Sequence, residues 1–429
     1  MMRKNVLIFP GGEYSASQIY FSLHNSLQYR PILGSSRSDH SEFISKDAIT
    51  DLPFIYEGHF IEALNRVIQK ESIDFIIPAH DTAAFSLMEK QDEIMATVVC
   101  SPFKTAELCR YKSKTYEKLK SFPFVPKTYD IKRGDAEFPL FAKNDVGSGS
   151  RDAFVISSAE QLEKLLDPRI SYVLCEYLPG EEITVDCFTN SKRELLFAQP
   201  RTRSRIFNGI SARSTTIALT EEIKRIAEVL SSEIEFRGYW FFQCKKDKDG
   251  QYKLLEISTR FAGTYGVSKN LDVNLPLLAL CDFDGMDVDI TPNKYEITAD
   301  KNYIDRYKLN LQYERVYVGF DDTIVFNKEK YNTQMMQFLY QCLNENKEIV
   351  LITKHAPDIR ETLKKQHLNE ALFAGIIEVP ENSEKYTFMD NSKPSIFIDH
   401  AYAERKRVKE HLGIPTFDVS NVECLLDWS

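Results

Sequence analysis

Phe141-Ala142-Lys143-Asn144-Asp145-Val146-Gly147-Ser148-Gly149-Ser150-Arg151 is the stretch from which the rest of the chain is best read. A short apolar strand runs into a lysine, and the lysine into a Gly/Ser loop. A lysine so placed can pair with a phosphate while the glycines let backbone N–H groups approach it. The Gly-Lys-Ser/Thr ending of a P-loop is missing, so this is a different device. A flexible hairpin would have the same texture. The stretch needs support from elsewhere.

That support lies downstream. Tyr172-Val173-Leu174-Cys175-Glu176-Tyr177-Leu178-Pro179-Gly180-Glu181-Glu182-Ile183-Thr184-Val185-Asp186 reads as strand, turn, strand. Gln243 sits on the strand Trp240–Cys244, ahead of Leu254-Leu255-Glu256-Ile257-Ser258-Thr259-Arg260. Strand alternation puts Glu256 and Ser258 side by side on one face. Their oxygens, with Gln243 on a neighbouring strand, suit Mg²⁺ bridging nucleotide phosphates. Further strands at Glu182–Phe188, Leu195–Gln199 and Lys253–Ile257, joined by short turns, predict a largely antiparallel sheet. A helix is expected over Glu221–Ile234, with Ile223, Ile226, Ala227, Leu230 and Ile234 on one face.

Upstream, Asn5–Phe9 predicts a buried strand, Pro10-Gly11-Gly12 a turn and Ser15–Leu27 a helix. Phe75–Pro78, His80-Asp81 and Thr82–Lys90 repeat the pattern, which indicates a parallel α/β domain. Gly11, Gly12, Glu13, His80 and Asp81 fall at strand ends, where ligands gather in such folds. Ordinary turn chemistry accounts for the glycines equally well. Arg201, Arg203, Arg205 and Arg213 form a basic cluster that either holds an anion or is a solvated face.

In this order and spacing the three central segments resemble the ATP-grasp superfamily, which includes D-alanine–D-alanine ligases and the large subunit of carbamoyl-phosphate synthetases. The resemblance spans about residues 1–300 and implies bound ATP and Mg²⁺. Lys112, in Arg110-Tyr111-Lys112-Ser113-Lys114-Thr115, is similar to the family's first ATP lysine and Lys143 to the second. Gly147, Ser148, Gly149 and Ser150 would fold over the phosphates. Glu176, Tyr177 and Leu178 match the adenine hinge, and Glu182 the acid on the ribose hydroxyls. Gln243, Glu256 and Ser258 match the magnesium ligands, and Arg260, with Lys143, the catalytic groups beside the transferring phosphate. Ser258 stands where asparagine is usual, and Thr259 where proline is common. The family phosphorylates a carboxylate and passes the acyl phosphate to an amine or similar nucleophile. A nucleotide-binding regulatory or scaffold protein with degenerate sites is the competing reading.

From about Arg315 the texture changes again. Val316–Phe320, Ile349–Ile352 and Ser395–Ile398 read as strands ending in polar residues, separated by helices at Thr333–Asn344, Asp358–Gln366 and Tyr402–Leu412. This part resembles the haloacid-dehalogenase-like phosphatases. Aligned on Thr323, Asp321 takes the acid/base position while Gly319 stands where the nucleophilic aspartate belongs. Thr353, Lys385 and Asp399 resemble the remaining motifs, with His400 replacing the usual second metal acid. Glycine has no side-chain nucleophile, so the domain is expected to be inactive as a phosphatase.

The fold expected is thus α/β and α+β multidomain: an N-terminal parallel α/β pre-ATP-grasp domain (1–105), a central ATP-grasp fold (106–305) and a C-terminal Rossmann-like domain of the haloacid-dehalogenase type (313–429). The chain has 429 residues, 43% of them hydrophobic and 27% charged, which fits several globular cores. Its net charge of −9 argues against general nucleic-acid binding, which needs clustered positive charge. Apolar runs such as Val6–Phe9 are too short to cross a membrane, no secretory leader is evident, and the eight cysteines are scattered. The expected setting is cytoplasmic, with small-molecule carboxylate and amine partners and the option of a homo-oligomer.

Overall fold

A computed structural model describes residues 3–427 apart from 131–135, 148–151, 208, 302–306, 308 and 356–357. Met1–Tyr303 forms one compact unit and Ile304–Ser429 a second.

The first unit begins with β1 (Lys4–Phe9), α1 (Tyr14–Leu23), β2 (Tyr29–Leu33), α2 (Phe60–Glu71), β3 (Ile73–Pro78), α3 (Asp81–Glu89) and β4 (Thr97–Val98). The strands are parallel in the order β2-β1-β3-β4. Val6, Leu7 and Ile8 are wholly buried although they alternate in direction, because helices cover both faces of the sheet. The predicted Pro10-Gly11-Gly12 turn is tight for a packing reason. A Cβ on Gly12 would stand 2.2 Å from Asp39 Oδ2, and Gly11 N donates to Gly34 O at 2.6 Å. Close approach of the neighbouring loop explains these glycines without any ligand.

Next come α4 (Phe103–Arg110), α5 (Lys112–Leu119), β5 (Leu140–Asn144), β6 (Ala153–Ile156), α6 (Ala159–Leu165) and β7 (Tyr172–Glu176). β6-β5-β7 is a three-stranded antiparallel sheet carrying Lys143 near the end of its middle strand. The larger layer follows: β8 (Glu182–Thr189), β9 (Leu195–Thr202), β10 (Arg205–Phe207), β11 (Ile210–Thr215), α7 (Glu221–Glu233), β12 (Gly238–Lys246), β13 (Tyr252–Ser258), α8 (Gly266–Lys269), α9 (Leu275–Phe283) and β14 (Thr298–Asp300). β13-β12-β8-β9 is antiparallel throughout, and β10-β11-β14 forms a small companion sheet.

Two cores sandwich the antiparallel layer. On one side α7 lays Ile223, Ile226, Ala227 and Leu230 against Trp240, Phe242 and Val185. Trp240 stacks on Phe236 at 3.8 Å, and its indole N–H donates to Thr189 Oγ1 at 2.9 Å, so its one polar group is satisfied. On the other side Tyr239, Phe241 and Phe188 pack with Leu275 and Leu280 of α9 and with Val6, Ile8, Ile19 and Leu23 of the N-terminal layer. That shared core joins the two α/β layers into one unit.

The second unit contains β15 (Arg315–Val318), β16 (Val325–Phe326), β17 (Lys330–Tyr331), α10 (Thr333–Asn344), β18 (Glu348–Thr353), α11 (Ile359–Lys365), β19 (Gly375–Glu378), β20 (Ser395–Ile398), α12 (Tyr402–Leu412) and β21 (Thr416–Phe417). Its main sheet is parallel in the order β19-β18-β15-β20-β21, a doubly wound arrangement. Among the described residues, no helix is long and apolar enough to cross a membrane.

Candidate functional site

Lys112, Lys143, Gly147, Glu182, Gln243, Glu256 and Arg260 line a single cavity of about 180 Å³ in the first unit. They come from five separate stretches of sequence. Lys143 and Glu256, brought together from 113 positions apart, are within the same walls.

The two lysines are held differently. Lys112 is the first residue of α5 and only 8% exposed; its ammonium donates to Gly147 O at 2.8 Å and lies 3.7 Å from Glu256 Oε2. Tyr111, at the start of that helix, offers no side-chain cap. Asp145 supplies it from the other sheet: Ser113 N and Oγ donate to its two carboxylate oxygens, each at 2.7 Å. This carboxylate ties the helix bearing the first lysine to the loop after the second. Sequence reasoning saw Asp145 only as part of the loop, since its partner lies 32 residues away. Lys143 donates to Tyr116 Oη and, at 3.0 Å, to Leu255 O. Burial, with the charge of Lys112 nearby, pulls its ammonium below the usual lysine range.

β12 and β13 set Gln243 directly opposite Glu256. The Gln243 amide fits its neighbours with its nitrogen donating to Glu256 Oε1 at 3.2 Å and its oxygen accepting from Arg203 Nη1 at 2.7 Å. Arg203 Nε in turn lies 2.7 Å from Glu182 Oε1. Glu182, Arg203, Gln243, Glu256 and Lys112 are therefore one connected polar chain along the cavity wall. Ser258 is turned to a second, smaller cavity shared with His80 and Asp81, where its hydroxyl donates to Asp81 Oδ1 at 2.6 Å.

Asp81 also receives both Nε and Nη2 of Arg260, at 3.1 and 3.0 Å. Burial opposes ionisation, but Arg260, Ser258 and His80 outweigh it and hold the Asp81 carboxyl well below the ordinary range. Asp81 is thus bound to the arginine expected beside the transferring phosphate. His80 accepts from Thr82 N at 3.1 Å through Nδ1 and caps α3.

These contacts bear on the three residues expected to hold magnesium. Among the described residues, no cluster of three or more acidic, histidine or cysteine side chains forms a metal cage. Glu256 is the carboxylate suited to the ion, while the Gln243 oxygen is engaged by Arg203 and the Ser258 hydroxyl by Asp81. One carboxylate still fits Mg²⁺, which is commonly held by one or two carboxylates together with substrate phosphates and water.

The residues expected to form the adenine hinge are not among those lining the cavity. Glu176 accepts from Lys127 N at 2.8 Å, Tyr177 is half-exposed and Leu178 is buried. Ser148, Gly149 and Ser150 lie outside the described residues. The arginine cluster divides: Arg201 is wholly buried against Asp186, Arg203 faces the cavity, and Arg205 and Arg213 both grip Asp300 at the surface. Neither a solvated face nor a common anion site describes all four.

In the second unit, Asp321, Thr353 and Asp399 stand at the C-terminal ends of β15, β18 and β20. Lys385 donates to Asp399 Oδ2 at 2.6 Å, both being buried, and His355 Nδ1 lies 2.9 Å from both oxygens of Asp321. Asp399 fills the space over Gly319: a Cβ there would stand 2.5 Å from its Oδ2 and 3.1 Å from Thr323 Oγ1.

A family model described as "ATP-grasp in the biosynthetic pathway with Ter operon" matches residues 170–304. Among curated proteins, none matches the sequence. Among solved structures, the chain is similar to Rhizobium etli pyruvate carboxylase, at 14% identity and a TM-score of 0.55 over 67% of this chain. It spans only 29% of that longer chain. A biotin carboxylase–β,γ-ATP complex from Campylobacter jejuni aligns at 15% identity and a TM-score of 0.56, covering 67% of this chain and 72% of the other. The L-amino acid ligase from Bacillus licheniformis aligns at 18% and 0.52, covering 65% and 74%. At such identities the likeness concerns the fold. The ATP-grasp family match runs over β7 to β14, and over about two thirds of its length the chain shares the fold of these structures.

Proposed function

We propose that the first unit is a Mg²⁺-dependent ATP-grasp ligase that activates a small carboxylate as an acyl phosphate for attack by an amine or similar nucleophile. The observation that carries this reading is the convergence of Lys112, Lys143, Glu182, Glu256 and Arg260 on one cavity. A carboxylate oxygen attacks the γ-phosphorus, the bridging P–O bond breaks, and ADP leaves with the electron pair. The amine lone pair then attacks the acyl carbon, phosphate departs, and the amine proton passes to solvent. Lys112 and Lys143 neutralise nucleotide phosphates, Arg260 the moving phosphoryl group, and Glu182 takes the ribose hydroxyls. Glu256 would hold Mg²⁺, which supplies charge neutralisation at the phosphate oxygens. The L-amino acid ligase among the similar structures favours an amino acid as one substrate.

The test is ADP release by the whole chain, supplied with Mg·ATP and pools of amino acids. Release that needs both a carboxylate and an amine is the expected result, and Glu256→Ala should lower it at least about 100-fold, the cost of one preorganised electrostatic partner. Glu256→Ala should weaken nucleotide binding with Mg²⁺ present and change it little without. A second reading, a regulatory nucleotide binder, is favoured by the engagement of Ser258 with Asp81. It predicts tight Mg·ATP binding and no ADP release from any pool.

For the second unit the reading is a haloacid-dehalogenase-like domain that has lost its chemistry and braces or binds instead. Asp399, held by Lys385 and by Ala401 N at 2.8 Å, occupies the room a nucleophile would need. Gly319→Asp is therefore expected to leave aryl-phosphate hydrolysis at background. It should also destabilise Ile304–Ser429 by about 1–3 kcal/mol through overpacking, more with the second carboxylate charged. A gain of hydrolysis with unchanged thermal stability would contradict this.

A further inference from the structure

Among the described residues, six cations line the cavity of the first unit: Lys112, Lys143, Arg201, Arg203, Arg260 and Lys301. Four have a carboxylate partner, respectively Glu256 for Lys112, Asp186 for Arg201, Glu182 for Arg203 and Asp81 for Arg260. Lys143 and Lys301 have none among the described residues. The two stand in different surroundings. The cation that acts on Lys143 is Lys112, whereas Lys301 is faced by Arg201, Arg203 and Arg260. One electropositive end is that of the two lysines given to the nucleotide; at the other, Arg260 faces the moving phosphoryl group on the reading above and Lys301 has no assigned ligand.

Lys301 is anchored for a purpose there. It directly follows β14, its N–H donates to Ala212 O at 2.8 Å, and its carbonyl accepts from Arg205 Nη2 at 2.9 Å. The ammonium lies 4.0 Å from the centroid of the Tyr14 ring, on α1, and is buried without a hydrogen-bond partner among the described residues. Gly263 leaves room for the ammonium, since a Cβ at that position would stand 3.2 Å from Lys301 Nζ. A buried ammonium with three unused donors beside three guanidinium groups is costly unless an anion completes it. The Tyr14 ring offsets only part of that cost.

We propose that Lys301 binds the carboxylate of the non-nucleotide substrate, making a second anion site with Lys301 and Arg260 as its cations and the Tyr14 ring as its wall. This rests on the ligase reading above for the identity of the anion. The family match ends at residue 304 and assigns no role to this lysine. Burial first, and then Arg201, Arg203 and Arg260, bring the free ammonium down to about 7. The empty site is hence partly neutral at physiological pH, and an arriving anion restores the proton. Binding should take up as much as one proton, and should weaken as pH rises above about 7.

Calorimetry on the whole chain, loaded with Mg²⁺ and β,γ-imido-ATP, tests this with malonate as the probe. At pH 8, wild type is expected to bind malonate at about 1–10 mM, with proton uptake revealed by buffers of different ionisation heat. Lys301→Met should raise the malonate Kd at least about tenfold and abolish proton uptake, while nucleotide affinity stays within about twofold. Lys301→Arg should keep malonate binding but without proton uptake, because the guanidinium is charged throughout. Equal malonate binding by wild type and Lys301→Met overturns the site, as does a nucleotide-loaded wild type that binds no malonate. Lys301-dependent malonate binding in a chain that binds no nucleotide would instead overturn the ligase reading and leave the anion site standing.

Discussion

Lys143→Met should abolish Mg·ATP binding, raising Kd by 100-fold or more, and yet leave the apo chain as stable as wild type or slightly more so. The binding loss would be that of the buried cation proposed to face the nucleotide phosphates, a charge-assisted contact in a water-poor cavity. The stability expectation follows from the depressed ammonium. Burial, with Lys112 nearby, penalises the charged form in the fold. A group whose folded pKa is lowered costs stability at every pH below that pKa, so at neutral pH Lys143 works against the apo fold. Methionine removes that cost and fills similar volume. No partner is stranded, because Tyr116 Oη has Leu255 O as an acceptor at 2.7 Å. Nucleotide titration and thermal unfolding on the same sample decide it. Lost binding accompanied by a large fall in melting temperature would make Lys143 a structural lysine, and retained binding would end the nucleotide assignment of this cavity.

The sequence carried the regular strands well because their chemistry is local. Tyr172–Glu176 and Ser395–Ile398 were read with the bounds the structure shows, each being a short apolar run between polar turns. β10, β11 and β14 were not predicted, since stretches such as Arg205–Phe207 and Thr298–Asp300 show no apolar alternation. Their strand pairing depends on one another and on Arg205 and Arg213 meeting Asp300. α9 lacks an amphipathic period because it is buried between two layers, so periodicity had nothing to detect. Lys112, Lys143, Glu182, Gln243, Glu256 and Arg260, each picked out by the motif around it, do line one cavity. Contacts made across long separations were not legible: Asp145 with Ser113, Asp81 with Arg260, and Lys301 over Tyr14. At Gly319, only packing shows that Asp399 Oδ2 stands where a Cβ would fall.

Asp186→Ala is expected to cost the first unit about 3–5 kcal/mol, the range for removing one partner of a buried ion pair. Asp186 is fully buried at the middle of β8, and each of its oxygens accepts two donors. Oδ1 takes Arg201 Nη2 at 3.0 Å and Tyr239 Oη at 2.6 Å; Oδ2 takes Arg201 Nε at 2.8 Å and Ser268 Oγ at 3.0 Å. Every acceptor position of the carboxylate is filled. Its loss strands a guanidinium that is 1% exposed and leaves two hydroxyls short of an acceptor. Asp186→Asn should do almost as badly, since an amide turns two donors toward donors already there. Against a typical domain stability of about 5–15 kcal/mol, the single change brings the unit near its folding limit. The double variant Asp186→Ala, Arg201→Met should recover part of the loss, because the uncompensated charge is gone. Urea denaturation of the four corners of this cycle measures the coupling. A single variant costing under about 1 kcal/mol would show that water reaches Arg201, and that the pair is a solvated contact in place of the strut joining β8, β9 and α8 beneath the cavity floor.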